Sequence, residues 1–232
     1  SSDLFTLDHA VTALAFDQNG VLWATNPDDI DGNGFLEIMQ VTDPFGTPGL
    51  TIISDALTDT YATIEWDGDT MYGSKRIEPI GSELQTIDPY SGVVTPVGAT
   101  GTTGVDRIGG MSIDTVGMKM YAFDNRETEA FYTLDWQLLD GPDPTGTLIG
   151  APGFLVDKSG LDFYEPEDTL YAFFRLETQD LGIYTIDTTD GSADLFMDLS
   201  TYTEVRGATS IAIIPEPASL LMLGLTLLLR RR

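Results

Sequence analysis

Apolar positions ahead of Pro215 come in short runs broken by clusters of Asp, Gly, Asn and Pro, and nowhere do they keep the 3.6-residue period of an amphipathic helix. The runs repeat. An aromatic-centred segment recurs as Leu22-Trp23-Ala24, Met71-Tyr72-Gly73, Met120-Tyr121-Ala122 and Leu170-Tyr171-Ala172, at steps of 49, 49 and 50 residues. Before each copy lies a companion run: Ala13 to Phe16, Thr63 to Trp66, Met111 to Asp114 and Leu161 to Tyr164. The residues between, such as Asp17-Gln18-Asn19-Gly20 and Asp67-Gly68-Asp69, are turn formers, so each pair predicts a β-hairpin.

A third strand follows, ending near an aspartate: Thr86-Ile87-Asp88-Pro89, Tyr132-Thr133-Leu134-Asp135 and Tyr184-Thr185-Ile186-Asp187, with Val41-Thr42-Asp43-Pro44 as a looser copy. A fourth comes after a glycine turn, as in Ser91-Gly92-Val93-Val94-Thr95-Pro96-Val97. Units of four short antiparallel strands at this period predict an all-β, β-propeller-like domain of four full blades. One such sheet alone hides too little apolar surface, so Trp23, Tyr72, Tyr121 and Tyr171 are expected in the core between blades, with an aromatic sugar-binding surface as the rival reading. Two runs are left over, Leu4 to Asp8 and Ala208 to Ile214. They suit a partial fifth blade made by the two termini, which leaves four blades against five open.

The chain divides at Pro215. Residues 1–214 form the repeat domain, and residues 215–232 read Pro215-Glu216-Pro217, an uncharged run over 218–229, and Arg230-Arg231-Arg232. The prolines end the preceding strand, and the leucine-rich run predicts a short hydrophobic helix. At about 1.5 Å per residue it reaches only ~18 Å of a ~30 Å hydrocarbon core. Its arginines would stay on the cytoplasmic side of a membrane, leaving the acidic body outside.

The order Pro-Glu-Pro, short apolar segment and terminal arginine cluster resembles the PEP-CTERM sorting signal. That resemblance implies an exported protein of a Gram-negative bacterium making exopolysaccharide, with an exosortase-type enzyme reading Pro215, Glu216 and Pro217, and Arg230, Arg231 and Arg232 completing the signal. The opening Ser1-Ser2-Asp3, with no apolar run, is what removal of a leader would leave. The body also resembles propeller-like repeats of exported bacterial proteins, a likeness that carries no catalytic residues.

Charge narrows the partners. With 37 acidic residues against 11 basic and a net charge of −26, the chain repels nucleic acid and suits solubility outside the cell or the uptake of cations. It holds no cysteine, which removes disulfides and thiolate chemistry, and its one histidine, His9, argues against a Ser-His-Asp nucleophile or a multi-histidine metal site.

The sharpest ion-binding pattern is Asp29-Ile30-Asp31-Gly32-Asn33-Gly34 with Glu37, where oxygen side chains at alternate positions before glycine resemble the start of a calcium loop. Gln40 stands where a bidentate Glu would be needed, so a polar loop joining two strands is the competing reading. Glu165-Pro166-Glu167-Asp168 and the pair Asp140 and Asp143 read as solvated turns.

The expected function is a non-enzymatic structural or binding protein of the cell surface or extracellular matrix, calcium-stabilised, with exopolysaccharide or copies of itself as partners and membrane contact through residues 218–229. The alternatives are a self-assembling filament or surface-layer subunit using the apolar tail or terminal strands, and a carboxylate-based glycoside hydrolase or lyase.

Overall fold

In blades one and two an aspartate at the mouth of the first hairpin shapes its turn. In blade one, Asp17 Oδ1 accepts the N–H groups of Asn19 and Val21 at 2.8 and 2.9 Å, and Gly20, at φ 76°, takes the left-handed turn that closes the loop. Asp67 Oδ1 does the same for Asp69 and Thr70 in blade two. The computed structural model describes residues 11–26, 29, 33–43, 48–79, 81–126, 128–137 and 141–200, with the backbone of 202–204 and 230–231.

Four antiparallel four-stranded meanders result, as the repeat spacing predicts. Blade one is β1 (Ala13–Phe16), β2 (Leu22–Thr25), β3 (Leu36–Thr42) and β4 (Gly49–Leu57). Blade two is β5 (Thr63–Trp66), β6 (Met71–Ile77), β7 (Gly81–Ile87) and β8 (Val94–Pro96). Blade three is β9 (Ile108–Asp114), β10 (Lys119–Asp124), β11 (Ala130–Leu134) and β12 (Gly146–Gly150), and blade four is β13 (Val156–Tyr164), β14 (Thr169–Leu176), β15 (Leu181–Ile186) and β16 (Ala193–Asp198). The fold is an all-β, four-bladed propeller. The helical content among the described residues is one 3-10 turn at Glu165–Glu167.

The blades are joined by their aromatic rows. Trp23 packs on Trp66 with ring centroids 5.6 Å apart, Tyr72 meets Trp136 edge-on at 5.3 Å, and Tyr121 stacks on Phe163 at 5.6 Å. Each contact therefore runs from one blade to the next. Tyr171, in the last described blade, instead meets Phe196 of its own sheet at 5.3 Å. All four signature aromatics are buried, as core positions rather than an exposed platform. The third interface is the richest, with Phe123, Phe131, Phe174 and Tyr184 in one cluster with Tyr121 and Phe163.

The first strands line the axis, β1 beside β5, β5 beside β9 and β9 beside β13. Backbone approach is close enough at β9 and β13 that a Cβ added to Gly110 would come within 3.0 Å of Gly160 Cα. No comparable packing of β13 on β1 closes the ring among the described residues.

Two apolar clusters belong to single blades: Leu14, Phe16, Leu22, Ala24, Met39 and Val41 of blade one, and Tyr171, Leu181 and Ile183 of blade four with Leu199 just beyond it. The leftover runs Leu4 to Asp8 and Ala208 to Ile214, and the apolar tail over 218–229, lie outside the described residues. The backbone of β17 (Tyr202–Glu204) pairs antiparallel with that of β18 (Arg230–Arg231).

Phe174 is fully buried between blades three and four. Phe174→Ala is expected to lower the unfolding free energy by about 3–5 kcal/mol, read by urea denaturation, with the whole domain unfolding earlier and not blade four alone.

Candidate functional site

Most of the turn acids are already occupied. Beyond shaping its turn, Asp17 accepts the indole N–H of Trp23 through Oδ2 at 3.2 Å. Asp67 Oδ2 accepts the Tyr72 hydroxyl at 3.3 Å, and Glu167 Oε2 accepts that of Tyr171 at 2.8 Å. In three blades, then, a turn carboxylate latches the polar tip of the signature aromatic and lets a buried ring keep its hydrogen bond. Burial first, and the adjacent acid next, raises the phenol pKa of Tyr171 to about 12.

Turns also clasp one another. Gln18 Nε2 donates to Asp69 Oδ1 at 2.7 Å, joining blades one and two, and the Thr115 N–H and hydroxyl both donate to Glu165 Oε1, joining blades three and four.

Inside this rim lies the axis. Strand pairing sets Ala15 opposite Trp23, Glu65 opposite Tyr72, Ser112 opposite Tyr121 and Asp162 opposite Tyr171. The four facing residues occupy one register position in the four first strands, and all are buried. Two of the four are carboxylates. Glu65, Ser112 and Asp162 line a cavity of about 400 Å3 with Phe16, Trp66, Ile113 and Phe163, and with Asp17, Asp67 and Glu165 at its mouth. Ser112 Oγ accepts the Phe163 N–H at 2.8 Å, which ties β9 to β13.

Glu65 is 6% exposed. One of its oxygens accepts the Trp66 N–H at 3.0 Å, while Oε2 has no hydrogen-bond partner among the described residues. Burial first and the Asp162 charge second hold its carboxyl well above the usual range, against the Trp66 N–H, which lowers it.

A shallower groove of about 630 Å3 adjoins the cavity between blades one and two, where Tyr90, 71% exposed, stands edge-on to Trp23 at 5.8 Å. Thr70, Thr86, Asp88 and Pro89 complete its wall. Asp88 accepts the Ser91 hydroxyl and the Tyr90 N–H, which lower its pKa.

The loop singled out for calcium is only partly described. Asp29 accepts the N–H groups of Asn33 and Gly34 at 3.0 and 2.7 Å, Asn33 Nδ2 donates to Asp55 at 3.0 Å, and Glu37 is fully buried in β3. Asp31 lies outside the described residues, as do His9 and Asp140. The described residues contain no group of three or more His, Cys, Asp or Glu arranged to hold a metal. Asp143 proves to be a clasp, accepting the Thr100 hydroxyl at 2.8 Å and the Gly101 N–H at 3.0 Å.

Sequence reasoning missed the axial pair. Its signal was available: aligning the four units on their aromatics makes the facing position read Ala15, Glu65, Ser112, Asp162, so two charges occupy a position that the strand pattern marks as interior.

At the far end of the molecule, several of the few basic residues are spent on ion pairs. Arg76 reaches Glu78 at 2.7 Å and Asp106 at 3.4 Å, and Lys75 reaches Asp59 at 2.8 Å. None of them lines the axial cavity, whose ionisable residues are all acidic.

No family model matches the chain, and no curated protein matches it. Solved structures do. A GH43 glycoside hydrolase engineered for endo-xylanase and exo-arabinofuranosidase activity superposes with a TM-score of 0.56 at 12% identity, covering 88% of this chain and 45% of that one. An auxiliary nutrient binding protein from Bacteroides ovatus gives 0.54 at 16% identity, covering 90% and 55%. A gluconolactonase from Xanthomonas campestris gives 0.52 at 12% identity, covering 83% and 63%. These are likenesses of fold alone, and the chain spans less than two thirds of each of those structures.

Because the Glu65 carboxyl titrates above its ordinary value of 4.5, its contribution to stability is complete below that value and is lost as pH rises through the raised one. The groups facing it are Asp162 from β13 and the mouth acids Asp17, Asp67 and Glu165. Glu65→Gln, which cannot ionise, is expected to melt higher than wild type at pH 7.5, with the gap closing towards pH 4.5; scanning calorimetry across that range is the check.

Proposed function

We propose that the protein is an exported module of the cell surface or extracellular matrix that binds its ligand at one end of the propeller axis. The binding half is carried by one observation, the axial cavity to which all four blades contribute and in which an acid is left open. The export half rests on the sequence of residues 215–232, where an exosortase-type enzyme would read Pro215-Glu216-Pro217, the segment 218–229 would enter the membrane as a short helix, and Arg230 to Arg232 would stay inside. The exposed Tyr90 beside the hydroxyls and acids of the adjoining groove supports an exopolysaccharide as partner.

The same proposal has the two termini complete the ring as a partial fifth blade. The single-blade apolar clusters of blades one and four, and the turn of Tyr171 onto its own sheet, support a filler between them. A second copy of the chain could supply it instead, and this is the filament reading. Calcium at Asp29, Asp31, Asn33 and Glu37 belongs to the proposal as a loop stabiliser.

A second functional reading, a carboxylate-based glycoside hydrolase or lyase, is favoured by Glu65 and Asp162 lining one cavity, with burial first and the Asp162 charge second raising the Glu65 carboxyl towards the range of a general acid.

Mass spectrometry of the native C-terminus, with fractionation of the producing cells, tests the export proposal. The expected result is a surface or medium fraction whose chain ends near Pro217. An intact chain ending at Arg232 and found only in the cytoplasm would contradict it.

A further inference from the structure

We infer that the axial cavity takes a small ligand bearing a primary ammonium group, held by Glu65, Ser112 and Asp162. The inference names a ligand class for the binding reading and rests on it, but not on where the protein is exported.

The chemistry follows from what the cavity offers and withholds. Every charged residue lining it is acidic: Asp17, Glu65, Asp67, Asp162 and Glu165. The three at the mouth are occupied, Asp17 by Trp23 and its own turn, Asp67 by Tyr72 and its own turn, and Glu165 by Thr115. Glu65 differs, being more than nine-tenths buried with Oε2 lacking a donor among the described residues. A buried acceptor of this kind calls for a hydrogen-bond donor, and one carrying positive charge relieves both the missing bond and the repulsion from Asp162.

An ammonium group brings three N–H donors, which match Glu65 Oε2, the Asp162 carboxylate and the free lone pair of Ser112 Oγ. A divalent metal suits the site less well. Calcium asks for six to eight oxygens, whereas the described residues gather no group of three or more acids or imidazoles that could hold an ion. The space is also too large for a bare ion. About 400 Å3 walled by Phe16, Trp66, Ile113 and Phe163 fits a small organic molecule whose carbon part rests on those side chains and whose charged head meets the carboxylates. Ser112 is held by the Phe163 N–H, and Glu65 by the Trp66 N–H, so the polar groups are oriented before any ligand arrives.

The test uses the full chain and matched probes at pH 7.5: putrescine, its uncharged analogue 1,4-butanediol, and calcium chloride, followed by titration calorimetry and thermal melting. Putrescine is expected to bind and to raise the melting temperature, and butanediol to do neither. Glu65→Gln is expected to weaken putrescine binding by about tenfold or more, the loss of one charged hydrogen bond, while remaining folded by its own melting curve. Asp162→Asn, with the second carboxylate removed, should weaken it as well. Equal binding of putrescine and butanediol, or undiminished putrescine binding by both variants, would overturn the inference. So would calcium binding that is lost in Glu65→Gln with no response to putrescine, which would make the cavity a metal site. A failed export experiment with putrescine binding intact would sink the location and leave the ligand standing.

Discussion

The burial of one blade's aromatic against the next is the constraint on which the rest depends. A four-stranded sheet this short cannot cover its own faces, and Trp23, Tyr72 and Tyr121 are each buried only because a neighbouring blade supplies Trp66, Trp136 or Phe163. Stacking repeated in one sense draws the first strands round a common axis. The axial site is thus a by-product of core packing: positions that sit opposite the aromatics in four hairpins become neighbours in space.

Putting polar rings and acidic turns into that arrangement requires partners for both. The latches meet this need, because Asp17, Asp67 and Glu167 each serve their turn or its neighbourhood while holding a buried tip from the strand that follows. Much of the acidity that gives the chain its net charge of −26 has local work of this kind, or clasps adjoining loops as Asp143 and Glu165 do. Against that background Glu65 stands apart, because burial raises the cost of its charge and, among the described residues, only the Trp66 N–H offsets it.

The blades were legible because one strand and one turn together have a nearly fixed length, so four of each recur at about the same interval, and because the aromatic at the centre must be large to reach the next sheet. The hairpins followed from Asp and Gly at the turns. The axial pair was harder to read. Within Thr63 to Trp66 a single Glu looks like an edge or solvent-facing residue by strand alternation, and its interior position shows only when the units are superposed on Tyr72 and Tyr171. Glu165 and Asp143 read as turn residues for a related reason: their partners, Thr115 and Thr100, lie in other loops and are far away in sequence. In the loop at Asp29 that aspartate accepts two backbone N–H groups.

A double-mutant cycle across one blade interface tests the stacking claim most directly. Tyr121 and Phe163 lie in different blades with stacked rings 5.6 Å apart, so Tyr121→Leu, Phe163→Leu and the double variant isolate their coupling in denaturant unfolding. The account predicts a favourable coupling of about 0.5–1.5 kcal/mol beyond the lost area. Changes that simply add, within about 0.3 kcal/mol, would mean that these rings do not meet and that the blades are not stacked as described.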